Sequence, residues 1–319
     1  MSLKKIALLV VLVMLAASMI GCGTDTTDDT VYINIATGSL AGTYYPLGAA
    51  LAQVFNDNIE GVSAQAESTG ASLANITLLM DEEVELALIQ NDIAYYAFNG
   101  TEMYADPGAQ DKIRGVAVWY PEIIQIVASA DSGITSIEDL RGKKVAVGAP
   151  GSGTEANARQ ILAAHGITYD DLEKADFLTF TEAADNLKDG HIDAAFQTAG
   201  IPTAVITDVA TTKDIVIVPF DEDKMDSFLE DFPFYTRVVI PAGTYPNQDD
   251  PIVTVAVMAM LATHEGVDED LVYDMVKAIF ENLETIVAAH ARGADLTLDT
   301  ALEGMPIELH PGAARYYNE

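Results

Sequence analysis

The sequence is poor in the residues that carry most metal and redox chemistry. Its 319 residues include one cysteine, one tryptophan and five histidines. A single cysteine cannot form a disulfide within the chain or supply a thiolate cluster. The histidines show no spacing that pairs them as metal ligands, and we interpret each as a structural or surface residue. The sequence therefore predicts no cofactor and no metal site. The histidines are His165, His191, His264, His290 and His310.

Basic residues are also scarce. Lysine and arginine together number 16 against 49 aspartates and glutamates, which gives a formal net charge of −33 at pH 7. A chain this acidic repels phosphate backbones, so nucleic acid is excluded as a partner. No acidic run is long, which indicates a solvated acidic surface. One hypothesis is that this surface suits a high-salt habitat, where self-repulsion is screened.

No apolar run is long enough to span a membrane. Lys4 and Lys5 precede the apolar run Ile6 to Ile20, which is shorter than the roughly 20 residues of a spanning helix. Met19-Ile20-Gly21-Cys22 then resembles a bacterial lipobox. These features predict a lipoprotein signal peptide over 1–22, lipid attachment at Cys22, a polar tether over 23–30 and a location in the cell envelope, in the periplasm or on the outer face of the cytoplasmic membrane. An uncleaved anchor, or plain secretion with an idle Cys22, remains open.

The most informative stretch is KVAVGAPGSGTEANARQIL, residues 144–162. Residues 144–148 alternate as a buried strand does, the glycine-containing loop 149–153 cannot continue it, and Thr154 starts a helix. Free N–H groups at a helix N-terminus attract anions, and glycines allow a close approach. Ser152 and Thr154 can either cap the helix or offer hydroxyls to a ligand. This stretch therefore predicts an anion cradle.

The same arrangement recurs along the chain. Predicted strands at 31–36, 62–66, 85–90 and 191–197 are each followed by a loop or helix start, and three of these loops are 37–43, 68–72 and 198–202. Successive strand–loop–helix units predict parallel sheets. We expect an α/β fold with two lobes, each a mixed, mainly parallel sheet flanked by helices, hinged around a central cleft. Lobe 1 comprises 31–124 and 235–319, and lobe 2 comprises 125–234. In such sheets ligands bind outside the carboxyl ends of the strands, so the loops should meet at the cleft.

Catalytic motifs are missing. No Gly-x-Ser-x-Gly elbow occurs, and Gly142-Lys143-Lys144 lacks the rest of a phosphate-binding loop. Asp92 and Glu155 are the carboxylates nearest the predicted cleft, and their position suggests helix capping. The sequence therefore predicts a binding protein and not an enzyme.

Several spaced motifs resemble one family of receptors, the TAXI class of solute-binding proteins that serve TRAP-type transporters. This resemblance implies a periplasmic-binding-protein fold of the second topological type. It also implies a receptor that delivers a small organic anion, glutamate or a related amino acid or carboxylate, to the permease subunits of a TRAP transporter. We expect this receptor to be a monomer. The motifs are ATGSLAGTYYPLG (36–48), STGASLANITLL (68–79), LIQNDIAYYAFNG (88–100), VGAPGSGTEANARQIL (147–162), DAAFQTAG (193–200) and ELHPGAARYY (308–317).

The resemblance also implies a set of ligand contacts. One departure is Ala71, which stands where the family usually has a second glycine and makes the pocket slightly smaller. An ABC-transporter receptor on the same fold, an enzyme on this fold, and an adhesion lipoprotein without a pocket remain alternatives. The implied contacts are Ser39, Tyr44, Thr69, Gly70, Ala71, Ser72, Gln90, Asp92, Ser152, Gly153 and Thr154, with backbone contacts from Ala199 and Gly200.

Overall fold

The computed structural model describes residues 30–319. The predicted signal peptide, Cys22 and the tether up to residue 29 lie outside the described residues. In the described part of the chain, no helix combines the length and the apolar character that a membrane crossing requires. Residues Tyr32–Glu319 form one compact unit.

The strands of the described residues form one mixed sheet. Its order is β2-β1-β3-β10-β4-β7-β5-β6, while β8 pairs with β4 and β9 pairs with β10. The bounds are β1 Val31–Ala36, β2 Val62–Glu67, β3 Leu86–Gln90, β4 Ile113–Ser129, β5 Lys144–Ala146, β6 Lys174–Asp176, β7 Ala194–Ala199, β8 Ile215–Val218, β9 Thr236–Ile240 and β10 Ile252–His264.

The helices cover both ends of this sheet. Their bounds are α1 Tyr44–Asn58, α2 Ser72–Met80, α3 Asn91–Asn99, α4 Gly153–Ala164, α5 Phe180–Asp189, α6 Ala204–Thr212, α7 Glu222–Asp231, α8 Glu269–Glu281, α9 Leu283–Ala289 and α10 Pro311–Tyr317. Short 3-10 turns include Glu138–Leu140.

Two long antiparallel strands join the two ends of the sheet. β1 and β3 are parallel at one end, and β5 is parallel to β6 and β7 at the other. The first part of β4 pairs with β10, and its last part pairs with β7 and β8. This mixed α/β architecture confirms the predicted fold class, with the strands of the two ends joined into one sheet by hydrogen bonds through β4 and β10.

The sequence predicts two strands, at 113–119 and 123–128, where β4 is continuous. Pro121 lies near the middle of β4 and cannot donate a backbone hydrogen bond. It pairs with Met258 of β10, next to a shift in register between Met258 and Met260. The irregular pairing accommodates the proline, so the strand does not end there.

Two other element predictions need correction. The amphipathic pattern over 268–292 predicts one helix, but α8 ends at Glu281 and α9 begins at Leu283, because Asn282 leaves the helical conformation with φ −131° and ψ 30°. The sequence also predicts a strand at 177–180, but the strand of this region is β6, Lys174–Asp176, and Phe180 already begins α5 after a capping box formed by Thr179 and Glu182.

Packing of α1 fixes the loop before it. Leu47, Leu51 and Phe55 are fully buried in a core that also contains Ile33 and Ile35 of β1. Burial of side chains of this size stabilises the fold by about 1.5–3 kcal/mol each. The N-terminus of α1 is therefore held at the end of β1, beside the cleft described next.

Candidate functional site

A cleft of about 530 Å³, including its opening to solvent, lies at the ends of the strands. Both halves of the chain contribute to it, with residues from before and after residue 125. It is lined by Gly38, Ser39, Gly42, Thr43, Tyr44, Thr69, Gly70, Ala71, Ser72, Gln90, Glu122, Ala149, Ser152, Gly153, Thr154, Thr179, Phe180 and Thr198.

Four helices begin at this cleft. Helices α1, α2, α4 and α5 each place the residue before the helix and the first helical residue in its lining. The first N–H groups of a helix have no partner within the helix and carry partial positive charge. Their convergence makes the cleft electropositive without a cationic side chain.

The lining contains no lysine, arginine or histidine among the described residues. Arg159 and Arg237 both pair with acidic side chains. Arg159 Nε lies 3.4 Å from Glu155 Oε1, and Arg237 donates a 2.6 Å hydrogen bond to Glu222. Neither arginine lines the cleft.

The start of α4 separates the roles of two hydroxyls. Ser152 Oγ accepts a hydrogen bond from Glu155 N–H (3.1 Å) and donates one to Ala149 O (2.7 Å), so this hydroxyl is used by the helix cap. The hydroxyl of Thr154 has no hydrogen-bond partner within residues 30–319, and the same holds for the N–H groups of Gly153 and Thr154. Thr154 and the backbone beside it are therefore the groups available to a ligand.

The loop before α2 has an unusual backbone at Ala71. Its φ of 69° and ψ of −147° lie in a region that favours glycine. The Thr69 hydroxyl accepts a hydrogen bond from Ala71 N–H (3.0 Å), and the Ser72 hydroxyl accepts one from Gln90 N–H (3.1 Å). These bonds hold the loop against the end of β3.

The two walls of the cleft contact each other directly. Gly151 O accepts hydrogen bonds from Leu73 N–H (3.1 Å) and Ala74 N–H (3.2 Å) at the start of α2. On the other side, Gly200 N–H donates to the Thr43 hydroxyl (3.2 Å). The walls of the cleft are thus in contact on two sides, and the Gly151 carbonyl of one wall satisfies part of the N-terminus of α2.

A buried carboxyl group forms the floor of the cleft. Glu122 is 3% exposed, and its two oxygens accept hydrogen bonds from Tyr44 (2.7 Å) and Tyr120 (3.4 Å). Burial raises the pKa of Glu122 to about 8, although the Tyr44 hydrogen bond opposes that shift. Burial and the neighbouring Glu122 raise the pKa of Tyr44 as well. At neutral pH Glu122 is therefore largely protonated.

Most of the contacts implied by the resemblance lie in the lining, and three do not. Asp92 is fully buried behind Asn157, whose side-chain amide donates to its Oδ2 (3.3 Å), and burial raises the pKa of Asp92 to about 7. Ala199 ends β7 and pairs with Ile123. Gly200 lies against Arg292, where a Cβ would come within 2.6 Å of Cγ. The contacts found in the lining are Ser39, Tyr44, Thr69, Gly70, Ala71, Ser72, Gln90, Ser152, Gly153 and Thr154.

Three residues of the cleft lining belong neither to the glycine-containing loops predicted from the sequence nor to the ligand contacts implied by the resemblance. Gly38, Gly42, Thr43, Ala149 and Thr198 belong to the predicted loops, but Glu122, Thr179 and Phe180 do not. The Thr179-x-x-Glu182 capping box was a readable signal for the start of α5. No local pattern distinguishes Glu122 from a surface glutamate.

Solved structures of binding proteins share this fold. The periplasmic aliphatic sulphonate binding protein SsuA from Escherichia coli has 15% identity and a TM-score of 0.50 over 90% of this chain and 78% of its own. PhnD1 from Prochlorococcus marinus (MIT 9301), solved with methylphosphonate, has 10% identity and a TM-score of 0.52 over 81% and 89%. A protein from Bordetella bronchiseptica RB50 has 18% identity and a TM-score of 0.53 over 89% and 84%. These similarities confirm the periplasmic-binding-protein fold.

The family comparison corrects the predicted class of receptor. The matching model is that of the NMT1-like family, and it covers residues 35–319. Assignment to the TAXI class, and with it a TRAP transporter as the partner, is wrong. The motifs that suggested it are mainly glycine loops and helix starts, which the fold itself requires at the ends of its strands. The chain belongs to the NMT1-like family.

Proposed function

We propose that this protein is an extracytoplasmic solute-binding protein that captures a small organic anion in the cleft and presents it to a membrane transporter of the ABC type. The observation that carries the proposal is the convergence of four helix N-termini on a cleft lined by no basic side chain. Helix N-termini bind sulphonate, phosphonate and carboxylate groups through their free N–H groups. These three groups define the ligand class.

Local attraction has to act against the charge of the whole protein. At −33 the chain repels anions at long range. Each helix N-terminus contributes about 0.3–1 kcal/mol at an exposed site and up to ~2 kcal/mol when partly buried. The N–H groups of Gly153 and Thr154, with the Thr154 hydroxyl, are the leading contacts in this proposal.

Glu122 is compatible with an anionic ligand because it is protonated. An ionised carboxylate about 4 Å from a ligand anion would cost about 4 kcal/mol at an effective dielectric constant of 20. A protonated Glu122 instead accepts from Tyr44 and donates its own proton to a ligand oxygen. In this proposal the floor of the cleft supplies a hydrogen-bond donor and no charge.

The proposed mechanism is closure around the ligand. We assign residues 31–124 and 235–319 to one lobe and 125–234 to the other, with β4 and β10 as the connections that bend. A ligand that contacts α1 and α2 on one side and α4 and α5 on the other favours the closed state. The hydrogen bonds from Leu73 and Ala74 to Gly151 support this, since they already join the two lobes.

The transporter type follows from the correction of the family. With the TRAP assignment removed, the ABC receptor is the remaining transport hypothesis from the sequence. SsuA is a sulphonate binding protein and PhnD1 was solved with methylphosphonate, so the proposal contains no catalytic step. Transport in proteoliposomes that contain the cognate permease should depend on ATP and should persist when ion gradients are collapsed.

The direct test is a ligand screen on residues 23–319 by thermal shift and calorimetry. Alkanesulphonates, alkylphosphonates, small carboxylates and amino acids are compared at equal concentration. A ligand at a hundred times its Kd should stabilise the protein by about 2.7 kcal/mol. Absence of binding by every member of the three anion classes would contradict the proposal.

A further inference from the structure

A second polar cluster lies at the opposite end of α4 from the cleft. It consists of Glu138, His165 and Asp221, and one ligand atom from each lies within 4.8 Å of the others. His165 follows the last residue of α4, and Asp221 precedes the first residue of α7. Helix α4 has 12 residues and a length of about 18 Å at 1.5 Å per residue. The cluster is therefore separate from the solute cleft.

The hydrogen bonding of His165 leaves one ring nitrogen facing an acceptor. Nδ1 lies 2.7 Å from Ile161 O, so Nδ1 carries the proton and donates it there. Nε2 of the neutral ring then presents a lone pair, 3.1 Å from Asp221 Oδ2. The His165 side chain is 0% exposed, and neither Nε2 nor Oδ2 has a hydrogen-bond partner among the described residues. Two acceptors thus face each other, with the His165 ring buried and the side chains of Asp221 and Glu138 23% and 45% exposed.

The side chain of Asp221 points toward this cluster and does not cap α7. It occupies the N-cap position of α7, where aspartate commonly caps, yet its side chain makes no capping hydrogen bond. Burial and Glu138 raise the pKa of Asp221 to about 6, and burial lowers the pKa of His165. Lys224 lies 3.4 Å from Glu138 and balances one of the two carboxylates. The arrangement lacks a positive charge between His165 and Asp221.

We propose that Glu138, His165 and Asp221 bind a divalent metal ion, with zinc as the best match to one imidazole and two carboxylates. Two ligand atoms at about 2.05 Å from a metal and 3.1 Å apart subtend an angle near 100°, which suits tetrahedral zinc with water as the fourth ligand. This inference does not depend on the proposed function.

The position of the cluster favours a cation. The C-terminus of α4 carries partial negative charge from its free carbonyl groups, and the site adjoins it. A bound ion would connect the 3-10 turn Glu138–Leu140, α4 and α7 within one lobe. Because the three ligands are far apart in the sequence, no spacing pattern reveals them, which explains why the sequence predicts no metal site.

The test is a titration of metal-free protein, prepared with chelator, with zinc chloride at neutral pH by calorimetry and thermal shift. We expect one saturable site per chain and a higher Tm with zinc. His165→Gln and Asp221→Asn should each weaken zinc binding by at least about tenfold, since each removes a ligand. Asp221→Asn keeps the shape of the side chain, so the fold can be verified in both variants by circular dichroism before titration.

Two controls define what the site is. His191→Gln removes an exposed histidine elsewhere and should leave zinc binding unchanged. Glu122→Gln changes the cleft and should also leave zinc binding unchanged. Unaltered zinc affinity in Asp221→Asn and His165→Gln, or no saturable binding by the parent protein, would overturn the proposal. Nitrogen NMR that finds His165 doubly protonated at neutral pH and insensitive to zinc would overturn it too, in favour of a simple ion pair with Asp221.

Discussion

The hydroxyl of Tyr44 donates a 2.7 Å hydrogen bond to Oε2 of Glu122 at the floor of the cleft. Tyr44 is the first residue of α1, and Glu122 lies on β4, the long strand that pairs with β10, β7 and β8. A helix start that lines the cleft is therefore bonded to a buried carboxyl group. The protonation of that carboxyl sets the charge of the cleft.

Binding should depend on pH through Glu122. Burial raises its pKa to about 8, so the carboxyl is neutral below that pH and ionises above it, when it repels an anionic ligand. We expect affinity to be constant from about pH 6 to 7 and to fall up to about tenfold per pH unit well above 8. Calorimetry across this range measures it.

Glu122→Gln should retain binding and lose this pH dependence, because glutamine is neutral at every pH. Glu155→Gln is the matched control, since Glu155 lies in the first turn of α4 but outside the lining. If the affinity of the parent protein instead rose with pH, and the Glu122→Gln variant lost its affinity, this prediction would be wrong. That result would indicate a ligand that carries a cationic group.

Two hydroxyl deletions at the start of α4 should separate stability from binding. Ser152→Ala removes the helix cap and should cost about 0.5–2 kcal/mol of the free energy of unfolding. Thr154→Val keeps the side-chain shape, should leave Tm nearly unchanged and should weaken binding by about 1 kcal/mol.

Thr207→Val serves as the control for these deletions, because Thr207 is a half-buried residue of α6 that does not line the cleft. Its affinity should equal that of the parent. Equal affinity of the Thr154→Val variant and the parent would remove Thr154 from the site.

Ala71→Gly should stabilise the protein. The positive φ of Ala71 costs about 1–3 kcal/mol for a residue with a Cβ, and glycine removes this strain. Glycine also makes the unfolded chain more flexible, which reduces the gain in stability by about 0.5–1 kcal/mol. We expect a net increase of about 1 kcal/mol in urea unfolding. Ala74→Gly, within α2, should instead destabilise by about 1 kcal/mol. Similar losses in both variants would show that the Ala71 conformation is not strained.

Affinity should respond little to salt. The lining offers no lysine or arginine, and its N–H groups are sheltered from bulk solvent. Raising the salt concentration from 0.1 M to 1 M shortens the Debye length from about 10 Å to about 3 Å. The repulsion between the acidic surface and an anionic ligand therefore becomes weaker. Calorimetry over this range should show constant or modestly higher affinity. A steep loss would require an exposed cation in contact with the ligand.

The sequence predicts much of the site because its loops obey local rules. Loops 37–43, 68–72, 149–153 and 198–202 combine glycines with strand ends and helix starts, and each contributes to the lining. Glu122 could not be predicted, since its burial depends on the pairing of β4 with β10, which the local sequence does not encode. The transporter class was predicted wrongly because motifs required by a fold do not identify the membrane partner.

The central position of β10 constrains how the chain folds. β10 lies between β3 and β4, and the Thr254 side chain of β10 bonds to Ile124 O, 130 positions earlier. Contacts of this sequence separation form late and slow the folding of a domain. Until residues 252–264 have been synthesised, β3 and β4 each keep an unpaired edge, which is the kind of surface that drives aggregation. Chains truncated before residue 252 should therefore aggregate instead of forming a smaller native domain.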